Sequence, residues 1–131
     1  MLDRPTRWSA ALGKLMSRHL RLGADGEAVA ANRYERAGFT VVARNWRCPE
    51  GEIDLIVRHG GLLVVCEVKT RSSDRYGGGA AAVGAAKQRR VRQAAVRFLE
   101  TQPWTAELRF DVAVVRPGPH GFAIEVIEGA F

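Results

Sequence analysis

Residues 51–71 read GEIDLIVRHGGLLVVCEVKTR. Two apolar runs flank His59-Gly60-Gly61, the pattern of two strands joined by a tight hairpin turn. Charge breaks that pattern at Asp54 in the first run and at Glu67 and Lys69 in the second. Side chains two apart on a strand share a face, so Glu67 and Lys69 project together, following Leu63 and Val65. Asp54 shares a face with Glu52 and Ile56, and hairpin pairing brings it alongside Glu67. Cys66 has the opposite parity and reads as a small core residue without thiol chemistry. Two carboxylates meeting in a partly buried site repel each other, and burying an unpaired charge is costly, so a cation is required. Lys69 is one candidate. A divalent ion is the other, since hard oxygen ligands suit Mg²⁺ or Mn²⁺. The competing reading is a plain salt bridge on a solvated sheet edge, from Asp54 or Glu67 to Lys69 or a nearby Arg.

The flanking sequence frames this hairpin with helices. GADGEAVAANRYERAG, beginning at Gly23, predicts a helix that stops at Gly38, with Ala30, Ala31, Tyr34 and Ala37 as its apolar stripe. Glu27 lies on the same stripe near the N-terminal end, either as a site residue or as a first-turn Glu favoured by the helix dipole. Strands are expected over 39–46, 52–58 and 62–70. RSSDRYGGGAAAVGAA then forms a loop rich in Gly and Ala, and no G-K-[ST] follows that would make it a phosphate cradle. A second helix over 85–101 turns Val91, Ala94, Ala95, Phe98 and Leu99 inward, and Pro103 lies beyond its end. Its other face carries Lys87, Arg89, Arg90, Arg92 and Arg97. Strands over 108–115 and 122–127 complete a single α/β domain spanning 23–131, preceded by a basic arm or accessory helix over 1–22.

Composition narrows the function classes. At 131 residues, with 47% hydrophobic and 26% charged residues, the chain suits one globular domain. Twenty Lys and Arg against 14 Asp and Glu give +6 and, with a sequence pI near 10.1, point to a polyanionic partner, nucleic acid above all. No apolar run reaches membrane-spanning length, so no membrane partner is expected. The first residues lack the apolar segment of a secretory signal, so the cytoplasm is the expected compartment and Cys48 and Cys66 are expected as free thiols. His19, His59 and His120 have no metal-ligand spacing.

The pattern D-x₁₂-E-x-K formed by Asp54, Glu67 and Lys69 resembles the catalytic signature of the PD-(D/E)xK nuclease superfamily. A closer resemblance covers nearly all of 23–131. G-x-x-G-E at the first helix, A-R-N-W-R, G-E-I-D-L-I, E-V-K-T-R, Y-G-G, K-Q-x-x, R-F-D-V-A-V and the terminal A-F are similar to the YraN-like family of small bacterial proteins. That family is close in motif layout to Holliday-junction resolvases. The chain departs from the superfamily at Ile53, where its name has proline. It departs from the family at Val65-Cys66, where Phe-Val is common.

The resemblance implies a restriction-endonuclease-like α/β fold, with a central mixed sheet flanked by helices in the order α-β-β-β-α-β-β. It also implies a metal-dependent nuclease acting on nucleic acid, DNA foremost, including branched or repair intermediates. Asp54, Glu67, the backbone carbonyl of Val68 and Glu27 would hold Mg²⁺ or Mn²⁺. Lys69 would position and help deprotonate the attacking water, a role that an arginine could not fill, and would stabilise the phosphate. The helix face of Lys87, Arg89, Arg90 and Arg92 would meet the phosphate backbone, and Arg71 and Arg75 would clamp a phosphate at the glycine loop. Glu52 is expected to be solvated. Asp111 is expected either as a motif residue or as an anchor for Arg109 or a nearby amide. Cutting two strands would call for a homodimer. The alternatives are a non-catalytic nucleic-acid-binding module and a scaffold whose carboxylates form an ion-pair network.

Overall fold

Helix α1 spans Arg18–Arg36 and strands β1, β2 and β3 span Thr40–Cys48, Gly51–His59 and Leu62–Thr70. Helix α2 (Ala85–Glu100) and strands β4 (Glu107–Gly118) and β5 (Gly121–Ile127) come next. The structure, a computed structural model, describes residues 18–71 and 83–131, with side chains from residue 25 onward. Of the expected N-terminal arm, residues 18–22 are the opening of α1 and residues 1–17 lie outside the described residues.

The five strands form one mixed sheet in the order β1-β2-β3-β4-β5. All neighbours are antiparallel except β3 and β4, which run parallel across the crossover that contains α2. The two-residue loop Gly60-Gly61 closes the β2–β3 hairpin, with Gly60 at φ 57, a left-handed conformation that glycine adopts at no steric cost. This is the α/β arrangement of the restriction-endonuclease-like fold.

Each helix buries one stripe on one face of the sheet. Ala30, Ala31 and Tyr34 of α1 pack on Leu55, Val57, Val64, Cys66 and Ala113. Val91, Ala94, Ala95 and Phe98 of α2 pack on Ile53, Ile56, Leu63 and Val65, with Leu99 and Trp46 at the margin. Ala37, expected on the α1 stripe, is exposed, because the helix has already ended at Arg36. The alternating parity of β3 therefore sends Cys66 to the α1 side and Glu67 towards α2. Strand β2 is less regular. Ile53 packs beneath α2 while Leu55 packs beneath α1, although residues two apart on a regular strand share a face. The break falls at Asp54.

Candidate active site

The irregularity at Asp54 has a counterpart on β1. Pairing runs Arg44↔Leu55 and Trp46↔Ile53, and between them Asn45 adopts φ 48. Asparagine tolerates this left-handed conformation better than other side-chain-bearing residues. On the other side, the β2–β3 ladder ends at Leu55↔Cys66. Beyond that pair, side chains replace the ladder. Val68 N–H donates to Asp54 Oδ2 at 2.9 Å, and Asp54 N–H makes a weak 3.5 Å contact with Glu67 Oε2. The two carboxylates thus come together across the hairpin, each reaching the backbone of the opposite strand.

Glu67 is fully buried. Its second oxygen, Oε1, lies 3.3 Å from Nζ of Lys87, on the first turn of α2. This is longer than a charge-assisted hydrogen bond, and Oε1 has no hydrogen-bond partner. Burial first, and the charge of Asp54 second, push Glu67 up to about 7, against the pull of the Lys87 ammonium. Burial also raises Asp54, opposed by Val68 N–H and then by the Lys87 and Lys69 charges. Lys87, expected from sequence as a phosphate contact, is thus the ion-pair partner of Glu67.

Glu27 approaches from α1. It stands well inside the helix, whose first turn contains no acidic residue, so the helix dipole does not account for it. The preceding Gly26 is buried, and a Cβ there would collide with Thr70 Oγ1, so α1 passes close over the end of β3. Burial raises the Glu27 carboxyl, followed by the charges of Asp54 and Glu52, while the Asn45 side chain and Arg44 draw it down. Its Oε2 is buried without a hydrogen bond. Asn45 is a further site residue that sequence reasoning missed. Its one clue is a poor strand former in the middle of A-R-N-W-R.

The donor chemistry suits a divalent cation, since the donors are hard carboxylate oxygens and two buried ones, Glu27 Oε2 and Glu67 Oε1, lack a hydrogen bond. The cluster is not closed, however. Among the described residues, no group of three or more His, Cys, Asp or Glu side chains is arranged to hold a metal ion. Asp54 and Glu67 are held side by side by contacts to each other's strand, and Glu27 interacts with Asp54 only through its field.

The remaining expected site residues divide by their contacts. Lys69 is half-buried and lowers the Asp54 carboxyl by its charge. Arg71 is half-buried, and its N–H extends the β3–β4 pairing to Val115 O at 2.8 Å. Arg75 lies outside the described residues. Arg89 and Arg90 are exposed on α2. The Arg92 guanidinium instead lies over the Phe131 ring at 5.4 Å, and Arg97 grips Glu50 with bonds of 3.0 and 2.7 Å. Glu52, expected to be solvated, is half-buried, pairs with exposed Arg47 at 3.6 Å and raises the Glu27 and Asp54 carboxyls by its charge.

Asp111 is an anchor. Fully buried on β4, it accepts bonds from Tyr34 hydroxyl (2.6 Å), Gly129 N–H (3.0 Å) and both Nε and an Nη of Arg109 (3.0 Å each). Burial pushes the neighbouring Cys66 thiol up to about 12, so it stays protonated and unreactive.

Residues 26–115 match Uncharacterised protein family UPF0102. A UPF0102 protein of Frankia casuarinae is 49% identical over 112 residues, covering 84% of this chain and 95% of the relative. Relatives in Symbiobacterium thermophilum (46% identical; 85% and 96% covered) and Syntrophus aciditrophicus (43%; 88% and 92%) carry the same family name. The chain belongs to family UPF0102, the family to which its YraN-like motifs point.

Proposed function

We propose that this protein is a metal-dependent nuclease that hydrolyses phosphodiester bonds in nucleic acid, with DNA as the foremost substrate. The observation that carries this reading is the meeting of Asp54 and buried Glu67 where the β2–β3 ladder ends, with a buried oxygen lacking any hydrogen bond. A protein gains nothing in stability from such a pair, since burial and mutual repulsion both oppose it. Asp54, Glu67, the Val68 carbonyl and Glu27 are the groups that would hold Mg²⁺ or Mn²⁺. Bound there, the ion would supply positive charge against the phosphate and acidify a water. Lys69, beside Asp54, would orient that water and, through its positive charge, favour release of the water's proton to solvent and stabilise the phosphate, and Asn45 would hold Glu27 in place. Arg89 and Arg90, with Arg71 and Arg75 nearer the glycine loop, would bind phosphates without reading sequence.

A second reading has its own support. The Lys87–Glu67 ion pair already gives the buried charge a partner, as an inactive nucleic-acid-binding module or scaffold would require. One assay separates the two. The protein is incubated with Mg²⁺ or Mn²⁺ and branched, flapped, single-stranded and duplex substrates. The nuclease reading expects cleavage of at least one substrate, lost in both Asp54→Asn and Glu67→Gln. Binding without cleavage would establish the module instead, and cleavage that survives Asp54→Asn would mark a contaminant.

A further inference from the structure

Glu67 has two oxygens in different situations. Oε2 faces the Asp54 N–H, whereas Oε1 is buried, receives no hydrogen bond and has the Lys87 ammonium 3.3 Å away. A cation entering the carboxylate pair would take Oε1, and Lys87 stands in that place. Of the two lysines that bear on Asp54, Lys87 acts more strongly than Lys69.

The backbone that carries Lys87 is pinned. Val83, just before the helix, is buried against Val112 and Val114 of β4. The Gln88 side chain donates to Val83 O at 2.9 Å, and its backbone N–H donates to Gly84 O, also at 2.9 Å. The ammonium, by contrast, ends a flexible four-carbon stem, and the side chain is 37% exposed. It can swing towards solvent without any movement of α2.

Resting on the nuclease reading, we propose that Lys87 is a resident counter-cation, which holds the Glu67 position until a divalent ion binds and then yields it. Charge alone dictates two consequences. The metal-free pair of carboxylates keeps a compensating charge, and divalent binding is weakened because an ion pair must be broken and a nearby like charge tolerated. Once displaced, the ammonium remains at the mouth of the site as a point charge for a substrate phosphate.

The test is calorimetric titration of Mn²⁺ into the full chain at pH 8, without substrate. Lys87→Gln should bind Mn²⁺ at least about tenfold more tightly than wild type, the scale of one unit charge removed at close range. Lys87→Arg keeps the charge and should bind no more tightly than wild type. Asp54→Asn should abolish binding in either background. If wild type binds through Asp54 and Lys87→Gln binds equally or more weakly, the counter-cation role is wrong while the metal site stands. If neither wild type nor Lys87→Gln binds Mn²⁺, both the role and the metal-dependent reading fall.

Discussion

The backbone N–H of Val68 donates a 2.9 Å hydrogen bond to Oδ2 of Asp54. A side-chain oxygen has taken a donor that a regular ladder would give to a carbonyl of β2, where pairing has stopped at Leu55 and Cys66. The bond both supports the opened end of the hairpin and holds the carboxylate beside Glu67. These two roles can be separated. Asp54→Asn retains an acceptor and removes a charge that repels Glu67, so metal-free Asp54→Asn should be at least as stable as wild type. Asp54→Ala leaves the Val68 donor unmade and should cost about 1–2 kcal/mol. Urea denaturation compares them, and an Asn variant as unstable as the Ala variant would mean that the charge itself supports the fold.

Stability should depend on pH through Glu67. Its carboxyl is raised from 4.5 to about 7, so the folded protein keeps this proton to higher pH than the unfolded chain does. The contribution is fully present below pH 4.5 and is lost as pH rises through 7. The loss amounts to about 3 kcal/mol for this one group. Asp54 and Glu27, also raised, add in the same direction. Melting curves without divalent ions should show wild type destabilised across that window. In Glu67→Gln the decline should be much shallower, and an unchanged slope would remove Glu67 as its source.

The passage of α1 over β3 depends on Gly26. Alanine is ordinarily worth about 1 kcal/mol more than glycine inside a helix. Here its Cβ would strike Thr70 Oγ1, so Gly26→Ala should lower stability despite that preference. Thr70→Ala removes the obstructing oxygen, and the double variant should be more stable than the sum of the single changes predicts. Additive effects in a double-mutant cycle would show that the close approach imposes no constraint.

Asp111 should matter for folding and leave the chemistry alone. Asp111→Ala leaves a buried Tyr34 hydroxyl, the Gly129 amide and a half-buried Arg109 without their acceptor, and should cost about 3–5 kcal/mol. Tyr34→Phe removes one donor and should cost about 1–2 kcal/mol. Any nuclease activity of the Tyr34→Phe protein, measured per folded molecule, should match wild type. A large loss of turnover at full stability would assign the cluster to the site.

The exposed arginines of α2 should separate from the engaged ones in nucleic-acid binding. Arg89→Ala and Arg90→Ala should each weaken binding to all sequences alike and flatten the salt dependence by about one unit of slope. Arg97→Ala, whose guanidinium is held by Glu50, should change the slope little. Fluorescence anisotropy over a salt series measures this, and equal slopes for all three variants would place the footprint on another surface.

Local periodicity, which any reader of the chain can see, carries much of the fold. Alternation along 51–71 locates the hairpin and puts Cys66 on the face opposite Glu67. Helical spacing identifies Ala30, Ala31 and Tyr34 as one stripe and Val91, Ala94, Ala95 and Phe98 as another. The pairing of Asp54 with Glu67 is legible because a two-residue turn sets the register of its own strands. Which groups from distant elements meet there is a matter of three-dimensional packing. Lys87 reaches Glu67 because the crossover from β3 to β4 lays the start of α2 on that end of the sheet. Asn45 meets Glu27 because β1 is distorted opposite Asp54, and Arg92 lies over Phe131 because the chain end packs beneath α2. Periodicity specifies which face a side chain occupies. Where one element sits over another, and so which charges come within reach, depends on packing between faces whose apolar patterns are equally satisfied by several registers.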